Sequence, residues 1–110
     1  MKLPKNDEMR NADQYTINDI GIPGILLMEK AAEKIEYHIS KKLKEIGGNK
    51  VLFFCGKGNN GGDGFAVSRL LLNKNIYSEI IILADEKDIM GDAKINLDIS
   101  NNLGIKIYNF

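Results

Sequence analysis

The stretch VLFFCGKGNNGGDGF, residues 51–65, decides the fold. An apolar run ends at Cys55, and five glycines follow between Gly56 and Gly64. Gly56-Lys57-Gly58-Asn59-Asn60-Gly61 satisfies the G-x-G-x-x-G pattern of a dinucleotide-binding turn, which has meaning only between a strand and a helix. The flanking sequence supplies both.

Lys50–Cys55 is short, nearly all apolar and rich in Val and Phe, so it reads as a strand buried on both faces. After the loop, 65–73 reads as a helix and 77–84, with three consecutive isoleucines, as a second buried strand. Residues 89–103 form an amphipathic helix through Ile89, Ala93, Leu97 and Leu103, stopped by Gly104, and 105–108 a third strand. Before the loop, Met28, Ala32, Ile35, Ile39, Leu43 and Ile46 make one apolar stripe on a helix over 25–46, ended by Gly47-Gly48. A first helix over 7–20, capped by Asn6 or Asp7, stops at Gly21-Ile22-Pro23-Gly24.

Strands joined through helices lie parallel. The order predicts a Rossmann-like three-layer α/β/α protein whose parallel sheet is truncated after about three strands and preceded by two N-terminal helices. Three such strands make half a doubly wound sheet, with a buried strand left at an open edge. Residues 1–110 therefore read as part of one larger domain.

Composition narrows the partners. The chain is 44% hydrophobic and 27% charged, with a formal net charge of zero, so no basic face recommends nucleic acid. One cysteine cannot close an internal disulfide, which fits a reducing compartment. The N-terminus lacks the apolar core of a secretory signal, and no apolar run is long enough to cross a membrane. The expected location is cytoplasmic. Cys55 reads as a core residue, His38 as an exposed helical residue, and Arg69 as a surface residue.

Within the loop, glycines allow positive φ and a close backbone approach, and a following helix N-terminus favours anionic oxygens. Asp85, 24 residues beyond Gly61, stands where a ribose-binding acid would stand. Two features oppose an ordinary hydride-transfer site. Asn59-Asn60-Gly61-Gly62 is expected to prolong the loop so that the helix starts no earlier than Asp63, and Asp63 as N-cap places a carboxylate where phosphate would sit. A P-loop is excluded, because Gly62 and Asp63 replace its Lys and Ser/Thr. The amide and carboxylate oxygens of Asn59, Asn60 and Asp63, with the loop carbonyls, suit a polar ligand or a hard cation.

GKGNNGGDGFAVSRLL, residues 56–71, resembles the glycine-loop signature of the NAD(P)H-hydrate epimerases, the YjeF N-terminal domain family. EMRNADQYTINDIGIPGILLMEKAA, residues 8–32, resembles the opening helices of that family. The resemblance implies a Rossmann-like domain that interconverts the R and S epimers of hydrated NADH and NADPH. By position, Asn59, Asn60, Gly61, Gly62 and Asp63 would line the substrate site, and Asn60 would also contact a potassium ion. It implies homodimers, and a fused or separate ADP- or ATP-dependent hydrate dehydratase that completes the repair.

The family's acid/base aspartate lies in a second half, so residues 1–110 are expected to be the N-terminal half of the domain, without a catalytic residue and inactive alone. Two other readings stay open: a nucleotide-binding fragment of an NAD(P) oxidoreductase, and a non-enzymatic scaffold module using the same pocket.

Overall fold

A computed structural model describes residues 21–109. The helix expected over 7–20 lies outside the described residues. Helix α1 spans Gly24–Ile46, strand β1 Lys50–Cys55, helix α2 Asn59–Leu72, strand β2 Tyr77–Ile82, helix α3 Gly91–Asn102 and strand β3 Lys106–Asn109. A 3-10 turn, Glu86–Asp88, joins β2 to α3.

The three strands form one parallel sheet in the order β1-β2-β3, with Phe54 opposite Ile81 and Ile81 opposite Tyr108. The α/β class and parallel sheet are those expected. Two successive right-handed crossovers that step the same way place both helices on one face. Val51, Phe53 and Cys55 of β1 and Ser78, Ile80 and Ile82 of β2 accordingly point under the helices.

The core has two lobes. Phe65, Ile80, Ile82, Ile89, Ala93 and Leu97 pack between α2, α3 and the sheet, while Ala32, Ala66, Val67 and Leu71 join α1 to α2. Buried hydroxyls tie the layers: Ser68 of α2 bonds Ser78 of β2, and Ser100 donates to the Phe65 carbonyl at 3.2 Å.

Strands β1 and β2 are not buried on both faces, contrary to the reading of their apolar runs. Leu52, Phe54, Leu83 and Tyr108 are 48%, 63%, 56% and 50% exposed, on the side no described helix covers. The described residues thus supply the sheet and one helical layer.

Helix α1 begins one residue earlier than its stripe predicted and ends as expected, with Gly47 at φ 72° and its N–H on the Leu43 carbonyl. Its buried line is shifted. Met28, Ala32 and Leu43 face the core, but Ile35 and Ile46 are exposed and Glu36 is buried instead. Glu36 is held by Lys74 Nζ at 2.9 Å and by the Ser40 hydroxyl at 3.3 Å. A buried carboxylate survives only with such partners.

Candidate functional site

The glycine loop lies at the carboxyl end of β1, where open α/β sheets bind their ligands. Beside it, β2 ends and its chain continues through Leu83, whose N–H extends the pairing to the Cys55 carbonyl at 2.9 Å.

Here the structure corrects the sequence reading. Helix α2 starts at Asn59, not at Asp63, with Gly58 as an extended N-cap at φ −86°, ψ −169°. The Gly62 N–H already reaches the Gly58 carbonyl at 3.1 Å. The loop is therefore short: Gly56, Lys57 and Gly58, all exposed. Asp63 is the fifth helical residue and half-buried, so it is not the cap, and the first turn carries no acidic residue.

Glycine-rich sequence disfavours a helix, but close packing requires it here. A Cβ on Gly61 would overlap the Gly56 carbonyl oxygen. One on Gly62 would lie 2.9 Å from Ala93 Cα and 2.7 Å from Met28 Cε, and one on Gly64 would lie 2.6 Å from Cys55 Sγ. Real side chains do not approach so closely. Gly61 and Gly64 let α2 settle on the end of β1, and Gly62 lets α1 and α3 close over it. Asn96 of α3 completes this junction by donating to Met28 Sδ at 3.2 Å.

Gly56 and Gly58 differ, because a Cβ there would meet nothing within 4 Å. None of the five takes positive φ; among the described residues the glycines that do are Gly21, Gly47, Gly91 and Gly104. The expected role of backbone freedom is thus replaced by close approach. Gly61, Gly62 and Gly64 approach protein, and Gly56 and Gly58 border open space.

The five predicted site residues, Asn59, Asn60, Gly61, Gly62 and Asp63, are consecutive along the opening turns of α2. Asn59 and Asn60 lie in the first turn, whose leading N–H groups have no carbonyl one turn earlier to bond. These N–H groups and the helix dipole make that end attractive to anions. Gly61 and Gly62 are buried, so their part is to hold the turn in place.

Asp85 does lie just beyond the end of β2 and is exposed. Its carboxylate accepts from the Lys87 N–H at 3.2 Å and pairs with Lys87 Nζ at 3.5 Å, capping the 3-10 turn. Cys55 is buried beneath the loop, and desolvation pushes its thiol from 9.0 up to about 11, so it is a core group and no nucleophile.

Arg69 is not a free surface residue as expected. It is partly buried and bonds Glu29, clasping α2 to α1. Forty residues separate the two, and no local pattern announces the pair. Two grooves, of about 390 and 640 Å³, lie toward the amino ends of the strands, near Tyr77 and Lys74, and neither includes a loop residue. Among the described residues no three His, Cys, Asp or Glu side chains gather as a metal site.

This is a parallel α/β protein with a glycine-built helix start at the carboxyl end of its first strand. The match to known families is specific: residues 24–110 fit the family described as YjeF-related protein N-terminus, and the chain belongs to it. It is 41% identical over 98 residues to an NAD(P)H-hydrate epimerase of Oenococcus oeni, covering 89% of this chain and 46% of that one. It is 40% identical over 108 residues to a bifunctional NAD(P)H-hydrate repair enzyme of Moorella thermoacetica, covering 97% of this chain and 20% of that one. The crystal structure of the yeast protein YNL200c superimposes with a TM-score of 0.81 at 20% identity, over 99% of this chain and 47% of the yeast chain. The chain thus spans less than half the length of each.

Proposed function

We propose that this chain is the nucleotide-binding half of an NAD(P)H-hydrate epimerase, acting on the R and S epimers of hydrated NADH and NADPH. The observation that carries the reading is that the whole glycine loop lies within the stretch matched by the family, among relatives named as epimerases or hydrate-repair enzymes.

In this reading the pyrophosphate rests against the open backbone of Gly56 and Gly58 and the first N–H groups of α2. Asn59, Asn60 and Asp63 address the rest of the substrate, while Gly61 and Gly62 fix the turn. Asn60 and loop carbonyl oxygens would hold a potassium ion, since hard cations take such oxygen ligands. The ion would supply positive charge between phosphate and carboxylate.

Epimerisation needs reversible loss of the hydroxyl or ring-opening, helped by a general acid/base. The described residues give this chain a positioning role, and the proton-transferring group comes from the rest of the domain. A hydrate dehydratase, ADP- or ATP-dependent and fused or separate, would consume the product. A homodimer and a cytoplasmic location belong to the same reading; among the described residues no helix is long and apolar enough to cross a membrane.

Calorimetric titration tests it. Hydrated NADPH should bind the chain in potassium chloride and more weakly in choline chloride, with no conversion of the R to the S epimer by the chain alone. Equal binding of intact NADPH without potassium would sink the reading. That outcome would favour a dehydrogenase-type nucleotide site, which the early start of α2 and the position of Asp85 at the end of β2 make the second reading.

A further inference from the structure

Asn96 is an unfavourable residue for its place. It sits in the interior of α3, where asparagine is a poor helix former, and it is 2% exposed. Burying an amide costs free energy unless good partners replace water. Its Nδ2 group donates to the Asp92 carbonyl, one helical turn earlier, at 3.4 Å and to Met28 Sδ at 3.2 Å. The first bond is long, and a thioether is a weak acceptor. An apolar side chain would serve the core as well, so stability alone does not account for the amide.

What the amide supplies is direction. Methionine has three rotatable side-chain bonds and adapts to whatever gap it meets, but a hydrogen bond to its sulfur confines the terminal methyl. That methyl bears on Gly62, because Met28 Cε lies 2.7 Å from where a Gly62 Cβ would stand. Ala93, three residues before Asn96 and so on the same side of α3, meets Gly62 directly. The contacts close a ring: Gly62 to Ala93, along α3 to Asn96, across to Met28 of α1, and back to Gly62. The next residue toward the helix start, Gly61, is stopped by the Gly56 carbonyl. The opening of α2 is thus gripped between the end of β1 and the Met28–Asn96 link.

We propose that Asn96 is a positioning residue for the substrate turn. It orients Met28, Met28 seats Gly62, and Gly62 places the leading N–H groups of α2. Small misplacements of such groups weaken what they hold. The effect on substrate rests on the epimerase reading; the hold on the turn does not.

Amide exchange, urea unfolding and calorimetry on the 110-residue chain test this. Asn96→Ala removes the link but improves helix propensity, so stability in urea should change little. Met28→Leu keeps the volume and removes both sulfur and terminal methyl, cutting the link from its other end. In either variant the Gly62 and Asp63 amides should exchange about three- to tenfold faster relative to those of Val67–Leu71. The double variant should not exceed the larger single effect, because the two residues act in series. Hydrated NADPH in potassium chloride should bind each variant more weakly by a similar factor.

Unchanged exchange at Gly62 and Asp63 overturns the proposal in whichever variant it is seen. So does an increase shared equally by Val67–Leu71, the mark of general loosening, and so do additive increases in the double variant. Faster local exchange with unaltered affinity overturns the positioning role and leaves the epimerase reading in place. A wild-type chain that binds no hydrated NADPH counts against that reading alone, and the exchange pattern then decides whether Asn96 holds the turn.

Discussion

Gly62 of α2 and Ala93 of α3 meet so closely that a methyl group on Gly62 would lie 2.9 Å from the Ala93 Cα. The obstacle is backbone, so it cannot swing aside. Gly62→Ala gains about 1 kcal/mol of helix propensity but overpacks the junction, which typically costs about 1–3 kcal/mol. Where backbone itself must move, the upper part of that range applies, and a net loss of about 1–2 kcal/mol in urea unfolding is expected. No loss, or a gain, would show that α1 and α3 can move off α2 without cost.

Gly58 behaves oppositely, since it faces open space as the N-cap of α2. Serine is a better N-cap than glycine, so Gly58→Ser should raise stability by a few tenths of a kcal/mol or leave it unchanged. Its hydroxyl then occupies an N–H that the proposed ligand uses. Stability and affinity for hydrated NADPH should therefore move apart, read by urea unfolding and calorimetry on the same variant. Unaltered affinity would remove Gly58 from the site.

Cys55 gives the fold an alkaline weakness. Burial raises its thiol from 9.0 to about 11, so between those values the unfolded chain loses a proton that the folded chain keeps. The stabilising difference is complete below pH 9 and is lost as pH rises toward 11. Over that window it amounts to roughly 2–3 kcal/mol, at about 1.4 kcal/mol per unit. The measurement is a comparison with Cys55→Ala, which cancels whatever the two chains share. The variant's stability should fall less steeply above pH 9, and parallel curves would refute the assignment.

Ser68 and Ser78 test the buried polar link between α2 and β2. Ser78→Ala strands the Ser68 hydroxyl away from water and should cost about 1–2 kcal/mol. Ser68→Ala with Ser78→Ala removes both polar groups, and should cost less than the sum of the two single changes. Additive losses would mean that neither hydroxyl depends on the other.

Lys74 supports the buried Glu36 of α1 from the turn after α2. Lys74→Met leaves the carboxylate with only Ser40 and solvent, and should cost about 1–2 kcal/mol, less than a fully buried pair because Lys74 is half exposed. Glu36→Leu with Lys74→Met should recover most of that loss. Failure of the double variant to recover would place the effect in Lys74 packing instead of charge.

The strand–loop–helix order was legible because apolar runs and glycine stops carry it directly. The start of α2 was not. Gly61, Gly62 and Gly64 argue locally against a helix, and only contacts with Gly56, Ala93 and Cys55, all contributed from other segments, override that preference. The covered face of β1 was equally hidden: Leu52 and Phe54 are as apolar as Val51 and Phe53, so alternation could not tell one side from the other. Glu36 and Arg69 look like solvated charges until Lys74 and Glu29 are brought to them from 38 and 40 residues away.

The three glycines that open α2 also set its tempo. Relative to alanine they forfeit about 3 kcal/mol of local helix stability, so this turn is held by its neighbours more than by itself. Its amides should exchange with solvent well before those of Val67–Leu71, through brief openings of one helical turn. A ligand resting on the first N–H groups would close those openings and slow exchange over 59–63 while leaving the rest of α2 unchanged. The turn on which the proposed ligand would rest is thus the part of the helix whose motion binding would quiet.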